Sequence, residues 1–194
     1  MKRYLIIAAC VIVGVALAAL VYFAVSAPRL NFTYYTPTYL PPGASIAKRT
    51  LFIQNYQSGG DPFGKTVTDK SVTLSFRDVD NVYSIHERSA TQYQDIISER
   101  IQTSDTHFDA SSIKPTCRQM TTSKKISYRL CHWIDYDRYS VYEMNFVRDD
   151  TWISVQMNTT KDQPFKLSDL NSFIDSFQPG NTRELTVKTI QGGG

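Results

Sequence analysis

The chain has 194 residues, which is room for one ordinary domain and some accessory segments. It carries 21 basic and 18 acidic side chains, and two of the basic ones, Lys2 and Arg3, stand at its very beginning. The rest of the chain is therefore almost neutral, and its charges alternate in sign along the sequence. Nucleic-acid binding needs basic residues gathered on one face, so the composition argues against a nucleic-acid partner.

An apolar segment of 23 residues without a single charge runs from Tyr4 to Ser26. A helix of that length rises about 35 Å, enough to cross a bilayer core of about 30 Å. Lys2 and Arg3 precede it and place the N-terminus in the cytoplasm by the positive-inside tendency. The sequence therefore predicts a cytoplasmic stub (1–3), a transmembrane anchor (4–27) and a single-pass cell membrane protein whose main domain is extracytoplasmic.

Two alternatives for this segment stay open. Ala24-Val25-Ser26 resembles the cleavage site of a signal peptide, but such peptides have apolar regions of only about 7 to 15 residues. Ile7-Ala8-Ala9-Cys10 resembles a lipoprotein cleavage box, but the apolar run continues well past the cysteine. The length of the run favours the uncleaved anchor over both.

Residues 31–45 contain three prolines, four aromatic rings and no charge. Because proline disfavours the helical conformation in the residue before it, this segment is expected to be extended. We expect residues 28–36 to be a tether and the segment from Thr38 to Pro42 to lie against the edge of a domain over 37–180. A free proline-rich ligand for a partner's groove is the alternative.

Periodic patterns of apolar residues predict the elements of this domain. Alternation with period 2 predicts strands at 51–56, 71–77, 82–88, 126–134, 139–147 and 151–158. A long polar loop, Gln57 to Lys70, separates the first two of these strands. Helical spacing predicts a helix at 89–102, where Ser89 and Gln92 form a capping box.

A second helix is predicted at 167–177, with one apolar stripe formed by Leu170, Phe173, Ile174 and Phe177. Because groups of strands alternate with single helices, the predicted fold class is α+β. We expect an antiparallel sheet of about six or seven strands with both helices packed on one face. The polar residues 181–194 are predicted to be a flexible tail.

Two cysteines, Cys117 and Cys131, lie outside the apolar segment. A polar turn at Thr122 to Lys125 separates the two strand-like stretches that contain them. If the turn is centred on Ser123 and Lys124, the cysteines face each other across a hairpin, within disulfide reach. The sequence therefore predicts a disulfide bond and an oxidising compartment.

Three stretches carry a resemblance to a known family: "PTYLPPGA", "YRLCHWIDYDRYSVYEMNF" and "LSDLNSFIDSF". They resemble a bacterial extracytoplasmic domain of unknown function, found at the outer ends of some membrane-anchored anti-sigma factors. The resemblance covers roughly residues 36 to 180 and implies a PsbP-like fold, a compact antiparallel sheet with helices packed on it. Only three residues precede the apolar segment, so the resemblance carries over no sigma-binding activity.

No residue pattern indicates a catalytic, cofactor or metal site. His86, His107 and His132 show no metal-ligand spacing, and the chain has no Cys-x-x-Cys motif. Asp78-Val79-Asp80-Asn81 lacks the glycine and the glutamate of a calcium loop, and suits a turn between strands. We therefore predict that the protein is not an enzyme and uses no cofactor.

The function that this sequence predicts is a membrane-anchored, non-enzymatic extracytoplasmic module for binding or assembly. Its partner would be a protein, an envelope polymer or a lipid. The long polar loop and the aromatic segment before the domain are the candidate contact surface: Tyr34, Tyr35, Tyr39, Asp61, Phe63 and Lys65. A carrier of lipid or of another apolar ligand is one alternative, and a hydrolase with a loop-assembled site around His107 or His132 is another.

Overall fold

The structure is a computed structural model that describes residues 11–18, 28–40, 43–57, 66–77, 81–92, 94, 115–135, 139–159 and 167–191. A short helix, α1, covers 11–18, and α2 covers Leu167–Asp175. The ten strands in these ranges are β1 (Tyr35–Pro37), β2 (Ser45–Gln57), β3 (Thr66–Arg77), β4 (Asn81–Ser89), β5 (Thr116–Thr121), β6 (Ser127–Asp135), β7 (Tyr139–Arg148), β8 (Thr151–Thr159), β9 (Phe177–Pro179) and β10 (Thr186–Gln191).

Within this part of the chain, eight strands form one mixed sheet in the order β10-β2-β3-β4-β8-β7-β6-β5. Every neighbouring pair is antiparallel except β10 and β2, which are parallel. β1 and β9 form a separate two-stranded antiparallel sheet. β6, β7 and β8 pair antiparallel in chain order, as the sequence predicts.

The predicted fold class is wrong. The described chain is mostly β, and its main sheet is mixed and has eight strands, whereas the expectation was an α+β fold with six or seven antiparallel strands. The difference comes partly from Thr186–Gln191, which lies in the predicted flexible tail and pairs in parallel with β2. The five residues 186–190 are all exposed, so no apolar alternation marks this edge strand in the sequence.

The structure tests only part of the prediction that two helices pack on the sheet. Within the described residues, α2 packs on the sheet, and the predicted helix at 89–102 lies almost wholly outside them. Its start is described: the Gln92 N–H donates to the Ser89 hydroxyl at 3.4 Å, which is one half of the predicted capping box.

The predicted transmembrane helix over 4–27 is described only at 11–18, where the chain is helical and exposed. No helix in the described ranges has the length and apolar character that crossing a membrane requires. The rest of the predicted anchor lies outside those ranges.

The core lies on one face of the sheet, where inward residues of successive strands form continuous rows. One row runs through the paired residues Leu74, Ile85, Val155, Met144 and Leu130, all buried. Several parallel rows of this kind, each with one residue per strand, account for the predicted alternation in β3, β4 and β8. In β6, Ile134 has the same parity as the buried Tyr128 and Leu130, but it is 56% exposed.

Helix α2 covers this face with the predicted apolar stripe. Leu170, Phe173 and Ile174 are buried, and so is Phe177, which belongs to β9 because the helix ends at Asp175. The Phe173 ring meets the Phe177 ring edge-on at 5.3 Å between centroids and the Phe76 ring of β3 at 6.2 Å. Aromatic pairs of this kind add about 0.5–1.5 kcal/mol to the gain from burial.

The C-terminal end of α2 is joined to the turn between β5 and β6. The hydroxyls of Thr122 and Ser123 donate to the two Asp175 carboxylate oxygens at 2.5 and 2.6 Å. The Lys124 ammonium group donates to the Asp175 backbone carbonyl at 2.9 Å. These bonds hold the hairpin of the edge strand against the helix.

Residues 31–40, which we name the strap, pack into the domain. Phe32, Tyr34 and Tyr35 are buried, and β1 within the strap pairs with β9. The prediction that 28–36 is a tether is therefore wrong for its second half. Burial of three aromatic side chains stabilises this part of the segment against the domain, whereas a tether would be solvated. After the strap, Gly43 adopts φ +81°, a conformation that suits a turn into β2.

Candidate binding surface

The second face of the sheet is polar at the centre of its middle strands, between flanking rows that contain Val82 and Trp152. Since side chains alternate along each strand, the residues between the core positions form this face. We define the polar face by two rows of cross-strand partners: Thr73, His86, Ser154, Asn145 and Arg129 in the first, and Ser75, Ser84, Gln156 and Glu143 in the second.

Exposure decreases from β4 towards β6 along this face. His86 is exposed and Ser84 is half-buried, whereas Ser154 is 8% exposed, and Asn145 and Arg129 are both 2% exposed. The part that a partner can reach is therefore the half on β3, β4 and the adjoining residues of β8 and β7.

Side-chain hydrogen bonds within and between strands organise the polar face. The Thr73 hydroxyl lies 3.1 Å from His86 Nδ1, and the Ser154 hydroxyl donates to Glu143 Oε1 at 3.2 Å. Gln156 Nε2 donates to the Asn158 side-chain oxygen, also at 3.2 Å. These bonds restrict the rotamers of the side chains, which reduces the entropy that a bound partner must remove.

His86 is the titratable group at the centre of the accessible half. Desolvation lowers its pKa, the positive charge of Arg88 lowers it further, and Glu143 acts in the opposite direction. The imidazole is therefore neutral around pH 7, with one nitrogen as a donor and the other as an acceptor. In that state the accessible half presents mostly uncharged hydrogen-bonding groups.

The predicted contact residues fall into three groups in the structure. Tyr34 and Tyr35 are each 2% exposed, so they belong to the core and cannot form a contact surface. Tyr39 is 38% exposed and stays available. Asp61, Phe63 and Lys65 lie outside the described residues.

Both ends of the predicted loop from Gln57 to Lys70 are strand instead, because β2 extends to Gln57 and β3 begins at Thr66. β3 pairs with β4 only from Ser71 onward, whereas its pairing with β2 continues to the last pair, Gln57 with Thr66. The β2–β3 hairpin therefore extends beyond β4, and residues 58–65, between its two strands, lie outside the described ranges. That these residues contact a partner stays a prediction.

The predicted disulfide bond is present. Cys117 and Cys131 are direct cross-strand partners, with Cα atoms 4.1 Å apart and an S–S bond between them. The intervening turn at Ser123 and Lys124 is the one that the sequence predicts. The cystine lies at the end of the second row of the polar face and joins the edge strand β5 to β6.

Of the three histidines, the structure describes His86 on β4 and His132 on β6, which point to opposite faces of the sheet. His132 is half-buried, its ring stacks on Tyr142 at 4.4 Å, and its Nε2 has no hydrogen-bond partner. His107 lies outside the described ranges. In the described part of the chain, no group of three or more His, Cys, Asp or Glu side chains has the arrangement of a metal site.

Sequence reasoning missed Glu87, the most deeply buried of the acids in the described residues. It lies on the core face between Val72 of β3 and Ile153 of β8, and it is 0% exposed. The signal was available, because period 2 places Glu87 on the same face as Tyr83 and Ile85. A carboxyl group in an apolar row is an exception that requires a structural or functional reason.

In comparisons with known proteins, no family model, no curated protein and no solved structure matched this chain.

Proposed function

We propose that this protein is a non-enzymatic binding or assembly module that acts outside the cytoplasm and is attached to the membrane through the apolar segment 4–27. The observation that supports it most is the accessible half of the polar face. An open sheet face lined by hydroxyl, amide and imidazole groups, with charges of both signs beside it, suits a polar partner such as a protein or an envelope polymer.

The cystine supports the location. Disulfide bonds form and persist mainly in oxidising compartments, which for a membrane-attached protein means the outer side. The bond between Cys117 and Cys131 is thus compatible with the predicted orientation of the chain.

The packing of the core favours this function over that of a lipid carrier. The space between the sheet and α2, where an apolar ligand would lie, is occupied by side chains that are buried to 5% exposure or less: Phe76, Phe146, Leu170, Phe173, Ile174 and Phe177. The Phe146 and Phe177 rings are in edge-on contact, 5.4 Å apart. A carrier needs an open apolar volume at this position.

The polar face is tested by co-purification from native membranes in mild detergent. We expect the double variant His86→Ala with Gln156→Ala to lose the co-purifying partner. The matched control is Lys188→Ala with Thr189→Ala on the exposed edge strand β10, which should retain it. Equal recovery with both variants, at equal thermal midpoints, would rule out the polar face as the contact region.

The hairpin loop is tested separately. Replacement of residues 58–65 by a two-residue Asn-Gly turn should leave the fold intact, since these residues follow the last β2–β3 pair. Loss of the partner with this variant alone would assign the contact to the loop. Loss of the partner with this variant and also with the polar-face variant would assign the contact to both the polar face and residues 58–65.

The location is tested by protease treatment of intact and permeabilised cells. We expect protease added to intact cells to cleave the domain. In cells not treated with protease, the full-length chain should stay with the membrane fraction after alkaline washing. A full-length chain recovered in the soluble cytoplasmic fraction would contradict the proposal.

A further inference from the structure

Two carboxyl groups hold the strap to the sheet at neighbouring positions. The Tyr35 backbone N–H donates to Glu87 Oε2, and the Thr33 backbone N–H donates to Asp150 Oδ1, both at 2.9 Å. The Thr151 hydroxyl adds a bond to the Thr33 carbonyl at 2.5 Å. The strap is thus attached at alternate residues to groups whose charge depends on pH.

Glu87 is enclosed by apolar neighbours and by the strap itself. Its second oxygen, Oε1, is buried and has no hydrogen-bond partner. Burial therefore raises the pKa of Glu87 well above its usual value, and the single bond from Tyr35 N–H only partly opposes that rise. Glu87 is stable in this position as the neutral acid.

The titratable groups that face Glu87 do not supply a compensating positive charge. From the strap, Tyr34 faces it; burial first, and the negative charge of Glu87 second, raise the pKa of this phenol. Arg49 of β2 lies near Tyr34, and its guanidinium group is paired with Glu184 at 3.4 Å. Since Val72 and Ile153 flank Glu87 on β3 and β8, ionisation leaves an uncompensated buried charge.

Asp150 has the opposite requirement. Desolvation tends to raise its pKa, but hydrogen bonds from Thr33 and Thr151 outweigh that effect and lower it. Around it, Asp149 accepts a bond from the Tyr35 hydroxyl, and the Arg148 guanidinium lies over the Tyr35 ring at 5.3 Å. Burial, together with the bond to Asp149, raises the pKa of Tyr35 to about 12, so its phenol group stays neutral from acidic to mildly alkaline pH.

We propose that Glu87 and Asp150 form a two-sided pH latch, which holds the strap on the sheet only while Glu87 is protonated and Asp150 is ionised. The strap is then most firmly docked at mildly acidic pH and detaches first on the alkaline side.

The dependence of strap docking on pH, through Glu87 on the alkaline side and Asp150 on the acidic side, follows from the linkage between proton binding and docking. For Glu87, whose folded pKa is raised, the contribution to docking is complete below the unfolded value of 4.5 and is lost as pH rises through the folded pKa. In that window, the docking equilibrium constant falls about tenfold per pH unit. For Asp150, the contribution is present above 3.8 and is lost as pH falls through the lowered value, with a shallower slope because this residue is exposed.

A consequence for the whole protein rests on the proposed function. The strap links the apolar segment to the domain, and its ten residues span up to about 33 Å when extended. Detachment would therefore let a membrane-attached domain move away from the bilayer surface by a distance of that order.

The latch is tested with the ¹⁵N-labelled full chain in detergent micelles, by amide spectra from pH 3 to pH 9. The reporters are the Thr33 and Tyr35 amides in the strap and the Val155 amide in the core. We expect the two strap signals to change in two separate pH steps while Val155 stays constant. Glu87→Gln should abolish the alkaline step alone, and Asp150→Asn should abolish the acidic step alone.

Three results would overturn the latch. One is a pair of strap signals that stay unchanged over the whole pH range, and another is an alkaline step that persists in E87Q. The third is simultaneous loss of the strap and Val155 signals, which would show global unfolding instead of strap release. Because no partner is used, the outcome is independent of whether a binding partner is found.

Discussion

Gly180 lies against the ring of Tyr34, and substitution at this position tests how the strap is packed. An alanine Cβ at Gly180 would lie 2.4 Å from Tyr34 Cε1 and 2.6 Å from Cδ1. The same glycine donates its backbone N–H to the Tyr34 carbonyl at 2.8 Å, so neither backbone can easily retreat. Gly180→Ala is therefore expected to displace the Tyr34 ring and weaken strap docking.

The magnitude has two opposing parts. Excess volume in a packed core costs about 1–3 kcal/mol. Loss of glycine's freedom in the unfolded chain returns about 0.4–1 kcal/mol. Tyr34 is 2% exposed, so its ring is enclosed and cannot move aside freely. We therefore expect Gly180→Ala to lower the free energy of unfolding by about 1–2 kcal/mol.

The assay is urea unfolding of the full chain in detergent, followed by tryptophan fluorescence, in a double-mutant cycle with Tyr34→Ala. Removal of the ring should make Gly180→Ala neutral or slightly stabilising, because the clash is then gone. The control is Gly43→Ala, where nothing lies within 4 Å but φ is +81°. Its cost of about 1–2 kcal/mol comes from the backbone and should be the same with or without Tyr34.

The packing described here is refuted if Gly180→Ala does not destabilise the protein. It is refuted equally if the cost of that substitution is unchanged in the Tyr34→Ala background, because then the ring is not what the added methyl group meets.

Three further predictions concern other parts of the fold. Replacement of both Cys117 and Cys131 by serine removes a cross-link between residues 14 positions apart. It should lower the free energy of unfolding by about 3 kcal/mol in denaturant titrations. An unchanged midpoint, or two free thiols in the non-reduced wild type, would contradict the bond. Phe177→Ala should cost about 3–5 kcal/mol, because the ring is 0% exposed and contacts two other phenylalanines; a loss below 1 kcal/mol in the same titration would show that the site collapses or is loosely packed. At Asp175, desolvation acts to raise the pKa, but hydrogen bonds from the β5–β6 turn prevail and lower it. Its contribution to stability is thus present above 3.8 and is lost as pH falls through the folded value, so Asp175→Asn should flatten the acid limb of a thermal-midpoint profile, and an unaltered limb would count against this role.

The position of Glu87 illustrates why part of the candidate site escaped sequence reasoning. Alternation predicts that it points inward, but only the paired strands show that its row otherwise contains Val72, Ile153, Phe146 and Tyr128. Only the strap, which is distant in sequence, completes its enclosure. The polar face has the same origin, since His86 and Ser154 are 68 positions apart and become neighbours through strand pairing.

The sequence alone was sufficient wherever neighbours along the chain decide the structure. The stripe of α2, the alternation in β3, β4 and β8 and the facing cysteines follow from periods of 3.6 and 2, which are local properties. Tertiary structure decided which strands pair and what lies against each face. It assigned β10 to the edge beside β2, buried Tyr34 and Tyr35 and enclosed Glu87, because burial depends on distant segments whose arrival no local pattern records.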